Sequence, residues 1–234
     1  MVEMIKAWYA AEKEKMEEMT KEQKINYVVE YYLVFIIGAV LLLIAVIWFI
    51  FHFAFGNKEQ GFNCALVNCA VEGNSIELSD GLTEFFGYNP KKKEAYFDPG
   101  YQIAYPGVDN EAADNSFYEK FFLNIRVGVL DAAIMPQSFM EYCNTVGHPF
   151  YDVYDVLSEE QIKTYEPCFL KGKDEDEKEY TCGIDISKLK FFDKMGIYEV
   201  EANEGEPLVL TFTYGGMNLE ESRRFLDYLE TFEE

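Results

Sequence analysis

YYLVFIIGAVLLLIAVIWFIFHFAF, Tyr31–Phe55, runs for 25 residues without an Asp, Glu, Lys or Arg. At 1.5 Å rise per residue, a helix of this length crosses a hydrocarbon core of about 30 Å with some tilt. Aromatic residues gather at both ends: Tyr27, Tyr31 and Tyr32 at the entry, Trp48, Phe49, Phe51, Phe53 and Phe55 at the exit. Half-wet rings of this kind belong at the two headgroup layers. The run therefore predicts a membrane-spanning helix, and it divides the chain into a short leading part and a long trailing one.

The flanks predict the orientation. Lys6, Lys13, Lys15, Lys21 and Lys24 precede the run, whereas only Lys58 follows it closely before Lys91. The positive-inside bias then places the N-terminus in the cytoplasm and the trailing part outside the plasma membrane. The run starts too far in, is too long for the apolar core of a secretory signal, and is followed by no small-x-small cleavage site, so it reads as a single-pass signal anchor. The expected organisation is a cytoplasmic amphipathic helix over residues 1–20, a spanning helix with a cytoplasmic extension over 21–56, and an extracytoplasmic α/β domain over 57–234. In the leading part Met1, Met4, Ile5, Trp8, Met16 and Met19 recur at helical spacing, as in a helix lying on the membrane surface or against a partner's cytoplasmic domain. Thr20 and Gln23 form a T-x-x-Q capping box that opens the next helix.

The trailing part is long enough to bury a core, and the chain is 17% aromatic, which argues against disorder. The whole chain carries a formal charge of −22, nearly all of it beyond the span. Such a surface repels nucleic acid and anionic headgroups; it suits solubility in an ion-rich exterior or a cationic partner. Strands and helices alternate. FNCALVNCAV (Phe62–Val71) and VLDAAIMP (Val129–Pro136) read as strands covered on both faces. Further extended stretches are expected at Ala95–Tyr105, Tyr180–Ile186 and Pro207–Tyr214, and helices near Ser79–Phe86, Asn110–Val127 and Ser138–Asn144. Ser158 and Gln161 form a second capping box, Ser187 is placed to cap a helix ending near Gly196, and Asn218 opens a last helix carrying Leu219, Phe225, Leu226, Leu229 and Phe232 inward. The expected fold is a mixed sheet flanked by helices.

Five cysteines lie in this domain, at positions 64, 69, 143, 168 and 182, with no C-x-x-C pair. Cys168 and Cys182 bracket an acidic hairpin tip; a disulfide there would close a 15-residue loop, worth about 3 kcal/mol in the chain-entropy model. This is the candidate bridge. Cys64 and Cys69, five apart on one expected strand, should face opposite sides. No nucleophile or zinc motif is present, and His148 is the domain's only histidine, so neither catalysis, a metal nor a cofactor is implied. Asp109, Glu111 and Asp114, and Asp174 with Asp176, lack the spacing of a calcium loop and read as a helix start and a hairpin tip. Asp131, at a strand's beginning, reads as structural. Tyr96, Tyr101 and Tyr105 are the candidate ligand or partner surface, with core packing the alternative.

Three stretches carry a family resemblance: Asn124–Gln161 (NIRVGVLDAAIMPQSFMEYCNTVGHPFYDVYDVLSEEQ), Tyr180–Ser187 (YTCGIDIS) and Pro207–Leu229 (PLVLTFTYGGMNLEESRRFLDYL). Together they resemble the extracytoplasmic solute-binding proteins of ABC importers. The resemblance implies one lobe of a type II periplasmic-binding-protein fold, with Tyr180–Ser187 as the strand that returns to the first lobe and Pro207–Tyr214 as the closing strand. Only 43 residues separate Pro136 from Tyr180, too few for a second lobe of normal size. A single lobe offers half a cleft. The expectation is a non-catalytic accessory subunit of a bacterial transporter, held by the bilayer and an integral-membrane partner; the alternative is a receptor for a peptide or glycan.

Protease added to intact cells should digest the chain beyond about Gly56 and leave the first 30 residues protected. A protected C-terminal fragment would reverse the orientation.

Overall fold

The computed structural model describes residues 2–55, 58–72, 75–147, 150–174 and 176–232. His148 and parts of the links at Gly56–Gly61 and Glu72–Ser75 lie outside them. The chain divides into two compact units, Met1–Asn57 and Lys58–Glu234.

The first unit is a pair of helices, α1 (Val2–Glu17) and α2 (Lys21–Phe55). Between them the T-x-x-Q box closes as its sequence predicts: Thr20 N–H donates to Gln23 Oε1 (2.9 Å) and Gln23 N–H to Thr20 Oγ1 (3.4 Å). α2 is long and apolar enough to cross a membrane, and its apolar side chains point outward rather than into a protein core. α1 folds back on the start of α2. Trp8 meets Tyr32 edge-on at 6.1 Å, and Tyr27 donates its hydroxyl to Glu12 (2.9 Å), which also pairs with Lys15 at 2.8 Å. Met4 and Trp8 of the apolar stripe on α1 stay exposed.

The second unit is built on a mixed six-stranded sheet flanked by helices. Its strands are β1 (Glu59–Val67), β3 (Lys93–Tyr101), β4 (Ala132–Pro136), β5 (Phe169–Lys173), β6 (Glu179–Asp185) and β8 (Leu208–Phe212), in the order β3-β1-β4-β8-β6-β5. β1 runs parallel to both β3 and β4; β8 is inserted antiparallel between β4 and β6. β3, β1, β4 and β6 therefore all point the same way. A small antiparallel ladder, β2 (Cys69–Val71) with β7 (Ile197–Glu199), stands beside the main sheet.

The near-continuous apolar runs are explained by burial on both faces. On one face Phe62, Cys64 and Leu66 of β1 meet Leu78 and Leu82 of α3 (Ser75–Phe85), Phe191 of α8 (Lys190–Met195) and Phe225, Leu226 and Leu229 of α9 (Leu219–Glu230). On the other, Ala65 and Val67 meet Phe121, Phe122 and Ile125 of α4 (Asn115–Arg126) and Phe139, Met140 and Cys143 of α5 (Gln137–Thr145). Leu219, expected inward, is 38% exposed because it starts α9 rather than facing the sheet. The short helices α6 (Val153–Val156) and α7 (Glu159–Tyr165) complete the first face, α7 opening on the Ser158–Gln161 capping box. Ser187 caps no helix: its hydroxyl donates to Asp185 Oδ1 (2.6 Å) and accepts from Leu208 N–H (2.8 Å), splicing β6 to β8.

Asp131 is structural, as its position suggests. Its carboxylate is 1% exposed and accepts Asn63 N–H (2.9 Å), Asn218 N–H (2.9 Å) and Asn218 Nδ2. One side chain thus ties β1, the start of β4 and the entry to α9. Asn218 opens α9 in turn, with its side chain spent on Asp131 and Gly61 O rather than on the helix amides.

Two cysteine expectations are corrected. Asn68, between β1 and β2, has φ +50°, a left-handed turn that interrupts strand alternation. Cys64 and Cys69 consequently join the same core face. Cys168 and Cys182 are unbridged. Phe169 pairs with Ile184, so Cys168 falls beyond that pair, while Cys182 sits at the bulge between Leu170 and Lys171. Cys182 Sγ turns to Met140 Sδ (3.7 Å) on the α5 face, whereas Cys168 packs on the opposite face, with the sheet between them.

Burial pushes the Cys64, Cys143 and Cys182 thiols up and brings Cys69 to about 12. The thiolate is the reactive form, so these four should resist maleimide at neutral pH while half-buried Cys168 reacts. Mass spectrometry should find one adduct natively and five after denaturation. An intact Cys168–Cys182 disulfide after aerobic purification would contradict the register.

Candidate functional site

An open α/β sheet places ligands in the crevice beyond the carboxyl ends of its parallel strands. Here that crevice lies past Val67 of β1, Tyr101 of β3, Pro136 of β4 and Asp185 of β6. It is filled by the chain's own residues. Asn68 leaves β1 with its side chain fully buried. Its Oδ1 accepts from Ile103 N–H (2.7 Å) and Asn110 Nδ2 (3.1 Å), and its Nδ2 donates to Ile103 O and Asn203 Oδ1, both at 2.9 Å. All its side-chain polar atoms are used.

The opposite wall is a strap, residues 197–207, formed by β7 and a 3-10 turn at Glu201–Asn203. Val200 N–H bonds Asn68 O at 3.0 Å and so docks the strap on β1. Asn203, 1% exposed, donates to Tyr105 Oη (2.7 Å) and Glu206 Oε1 (2.9 Å). The other Glu206 oxygen accepts Ser138 N–H at 3.0 Å, and Pro207 O accepts Gln137 N–H at 3.0 Å. The free amides at the start of α5 would suit an external carboxylate. An internal carboxylate occupies them instead.

Two arrangements that resemble chemical sites have structural partners. Tyr105 and Ser138 share a short hydroxyl–hydroxyl bond of 2.6 Å, which resembles an activated serine. Burial raises the Tyr105 phenol above its ordinary value, which favours its protonated form. Asp114, weighed as a cation ligand, accepts Ser116 N–H at 2.7 Å as the N-cap of α4, which holds its carboxyl low. Asp174 accepts the Asp176 and Lys178 N–H groups, each at 2.9 Å, and so shapes the hairpin tip.

The three tyrosines do not make one surface. Tyr105 is spent in the crevice, between Asn203 and Ser138. Tyr101 is 1% exposed; Asn124 Nδ2 bonds its hydroxyl at 2.9 Å, and the Lys120 ammonium, paired with Asp98 at 2.8 Å, lies 4.6 Å from its ring centre. Only Tyr96 offers a half-exposed ring, to an open groove of about 660 Å³ between α3 and α4 along β3. The residues that do converge, Asn68, Asn110, Asn203 and Glu206, carry one sequence signal. An asparagine stands inside the apolar run LVNCAV, where a buried polar group must find partners.

Replacing Asn203 by Ala takes from Asn68 Nδ2 one of its two acceptors, Ile103 O remaining, and leaves Glu206 and Tyr105 without their common donor. Losses of buried partners of this kind total about 2–4 kcal/mol. Urea unfolding of the full chain in detergent should show that drop; a loss under about 0.5 kcal/mol, the range of surface substitutions, would mean that the strap is held elsewhere.

No protein-family model, curated protein sequence or solved structure matches this chain.

Proposed function

We propose that this chain is a non-catalytic, membrane-anchored accessory subunit of a bacterial membrane transporter. The ABC class is the one suggested by its likeness to solute-binding proteins. The lobe stands outside the cell, the N-terminus lies in the cytoplasm, and an integral-membrane partner binds through α2 and one face of the lobe. The observation that carries this reading is the filled crevice: Glu206 and Asn203 occupy the place where a solute-binding lobe would hold its ligand. Two further features support it. The strands named as returning and closing by resemblance, β6 and β8, are neighbours in one sheet, with β8 antiparallel between β4 and β6. α2 supplies an apolar helix of spanning length.

A receptor for a glycan or peptide is the second reading, and Tyr96 in its open groove favours it. The groove works against tight capture of a small solute, because one open wall leaves part of any ligand wet. At ~25 cal/mol per Å² of apolar surface, ~100 Å² left exposed forfeits on the order of 2.5 kcal/mol, nearly two decades of affinity.

Calorimetry of the full chain in detergent against sugars, amino acids and short peptides should find no dissociation constant below the high micromolar range. Purification from native membranes in mild detergent should retain an integral-membrane protein in stoichiometric amount. A sub-micromolar solute, or a chain that purifies alone, would overturn the accessory reading and favour the receptor.

A further inference from the structure

The two edges of the six-stranded sheet are treated differently. β3 forms one edge, and each of its outward backbone donors has a partner. Lys93 N–H bonds Asn89 O (2.9 Å), Ala95 N–H bonds Thr83 Oγ1 (2.9 Å), and Phe97 N–H bonds Ser79 Oγ (3.1 Å). The next outward position is Pro99, which has no N–H. Helix α3 thus covers this edge with two hydroxyls one turn apart, and no further strand can pair there.

The β5 edge is open. Asp174 N–H bonds Lys178 O across the hairpin at 3.0 Å. Alternation then turns Gly172 toward β6, and the backbones of Lys171 and Lys173 outward. Among the described residues, no group accepts those two N–H bonds. Lysine side chains often guard such an edge. Here both are drawn back over the hairpin, Lys171 toward Glu179 (3.4 Å) and Lys173 toward Glu177 (2.8 Å). Beside the edge runs an open groove of about 840 Å³ between β5 and the end of α5. Gly172 allows that close approach, since a Cβ there would stand 2.6 Å from Asn144 Nδ2.

We propose that the β5 edge receives an extended, lysine- or arginine-bearing segment of another protein as a seventh strand. The main chain of the segment would pair with Lys171 and Lys173. Charge selects its side chains. The two groove lysines are already matched by Glu177 and Glu179, which leaves Glu141 and Asp174 uncompensated on a chain of net charge −22. A basic segment is attracted and an acidic one repelled.

The test uses the full chain in nanodiscs of zwitterionic lipid and a fluorescein-labelled decapeptide of alternating lysine and valine. Two peptide controls accompany it: alternating glutamate and valine, and the lysine–valine peptide N-methylated at every residue. On the protein side, Lys171→Pro with Lys173→Pro removes both outward donors and leaves the Gly172 pairing to β6 in place; thermal unfolding checks its fold. The lysine–valine peptide should bind, and the glutamate peptide should not. N-methylation and the double proline variant should each weaken binding by about tenfold or more, as expected for two lost hydrogen bonds. Equal binding of the N-methylated peptide would overturn the proposal by showing charge attraction alone, whether or not the proline variant folds. No binding of the lysine–valine peptide at millimolar concentration, or equal binding of the glutamate one, would overturn it too.

Discussion

Asn68 stands where the central strand must stop being a strand. With φ at +50° the chain turns out of β1 immediately after Val67, and a residue other than Gly holds that conformation only with support. The support is the side chain itself. It binds both backbone groups of Ile103, which follows the end of β3, and reaches Asn110 and Asn203 from two further segments. Its own carbonyl takes Val200 N–H from the strap. Remove this hub and the end of β3, the Asn110 loop and the strap lose their common anchor, although the sheet's core faces remain intact.

That constraint also shapes the chemistry open to the domain. A parallel-strand crevice normally stays open because its ligand supplies the missing partners. Here the chain supplies them, down to a carboxylate at the start of α5. Every buried side-chain nitrogen and oxygen among the described residues has a partner, so no polar group waits there for a ligand. Interaction is left to the rims and edges. At one edge α3 seals β3 with Ser79 and Thr83; at the other β5 keeps its backbone free.

Much of this architecture could be read from the residues. The Tyr31–Phe55 run, both capping boxes and the doubly covered strands follow from hydrophobic period and local hydrogen-bonding rules, which depend on near neighbours. What escaped depends on contacts distant in sequence. The left-handed turn at Asn68 made the alternation rule fail for Cys64 and Cys69. Strand register, which residue spacing does not give, sets Cys168 beyond the Phe169–Ile184 pair and Cys182 beside Leu170 and Lys171, so the two cysteines are never opposite one another. Tyr101 and Tyr105 looked like a surface with Tyr96, but burial and their partners Asn124 and Asn203 came from segments that periodicity does not connect. The strap was invisible for the same reason: Asn203 and Glu206 acquire meaning only beside Asn68 and Ser138.

The claim that Asn68 closes the crevice is tested most directly by Asn68→Gly, because glycine accepts the left-handed backbone and deletes only the side-chain bonds. Native-state hydrogen exchange would follow Ile103 and Val200, whose amides bond the Asn68 side chain and carbonyl. Ile103 should exchange far faster in the variant because its acceptor is deleted. Val200, whose bond to the residue 68 carbonyl survives the substitution, should exchange faster because the strap loses the Asn203–Asn68 bond, while β4 and β8 keep their relative protection. Unchanged protection at Ile103 and Val200 would show that the crevice is held shut without Asn68.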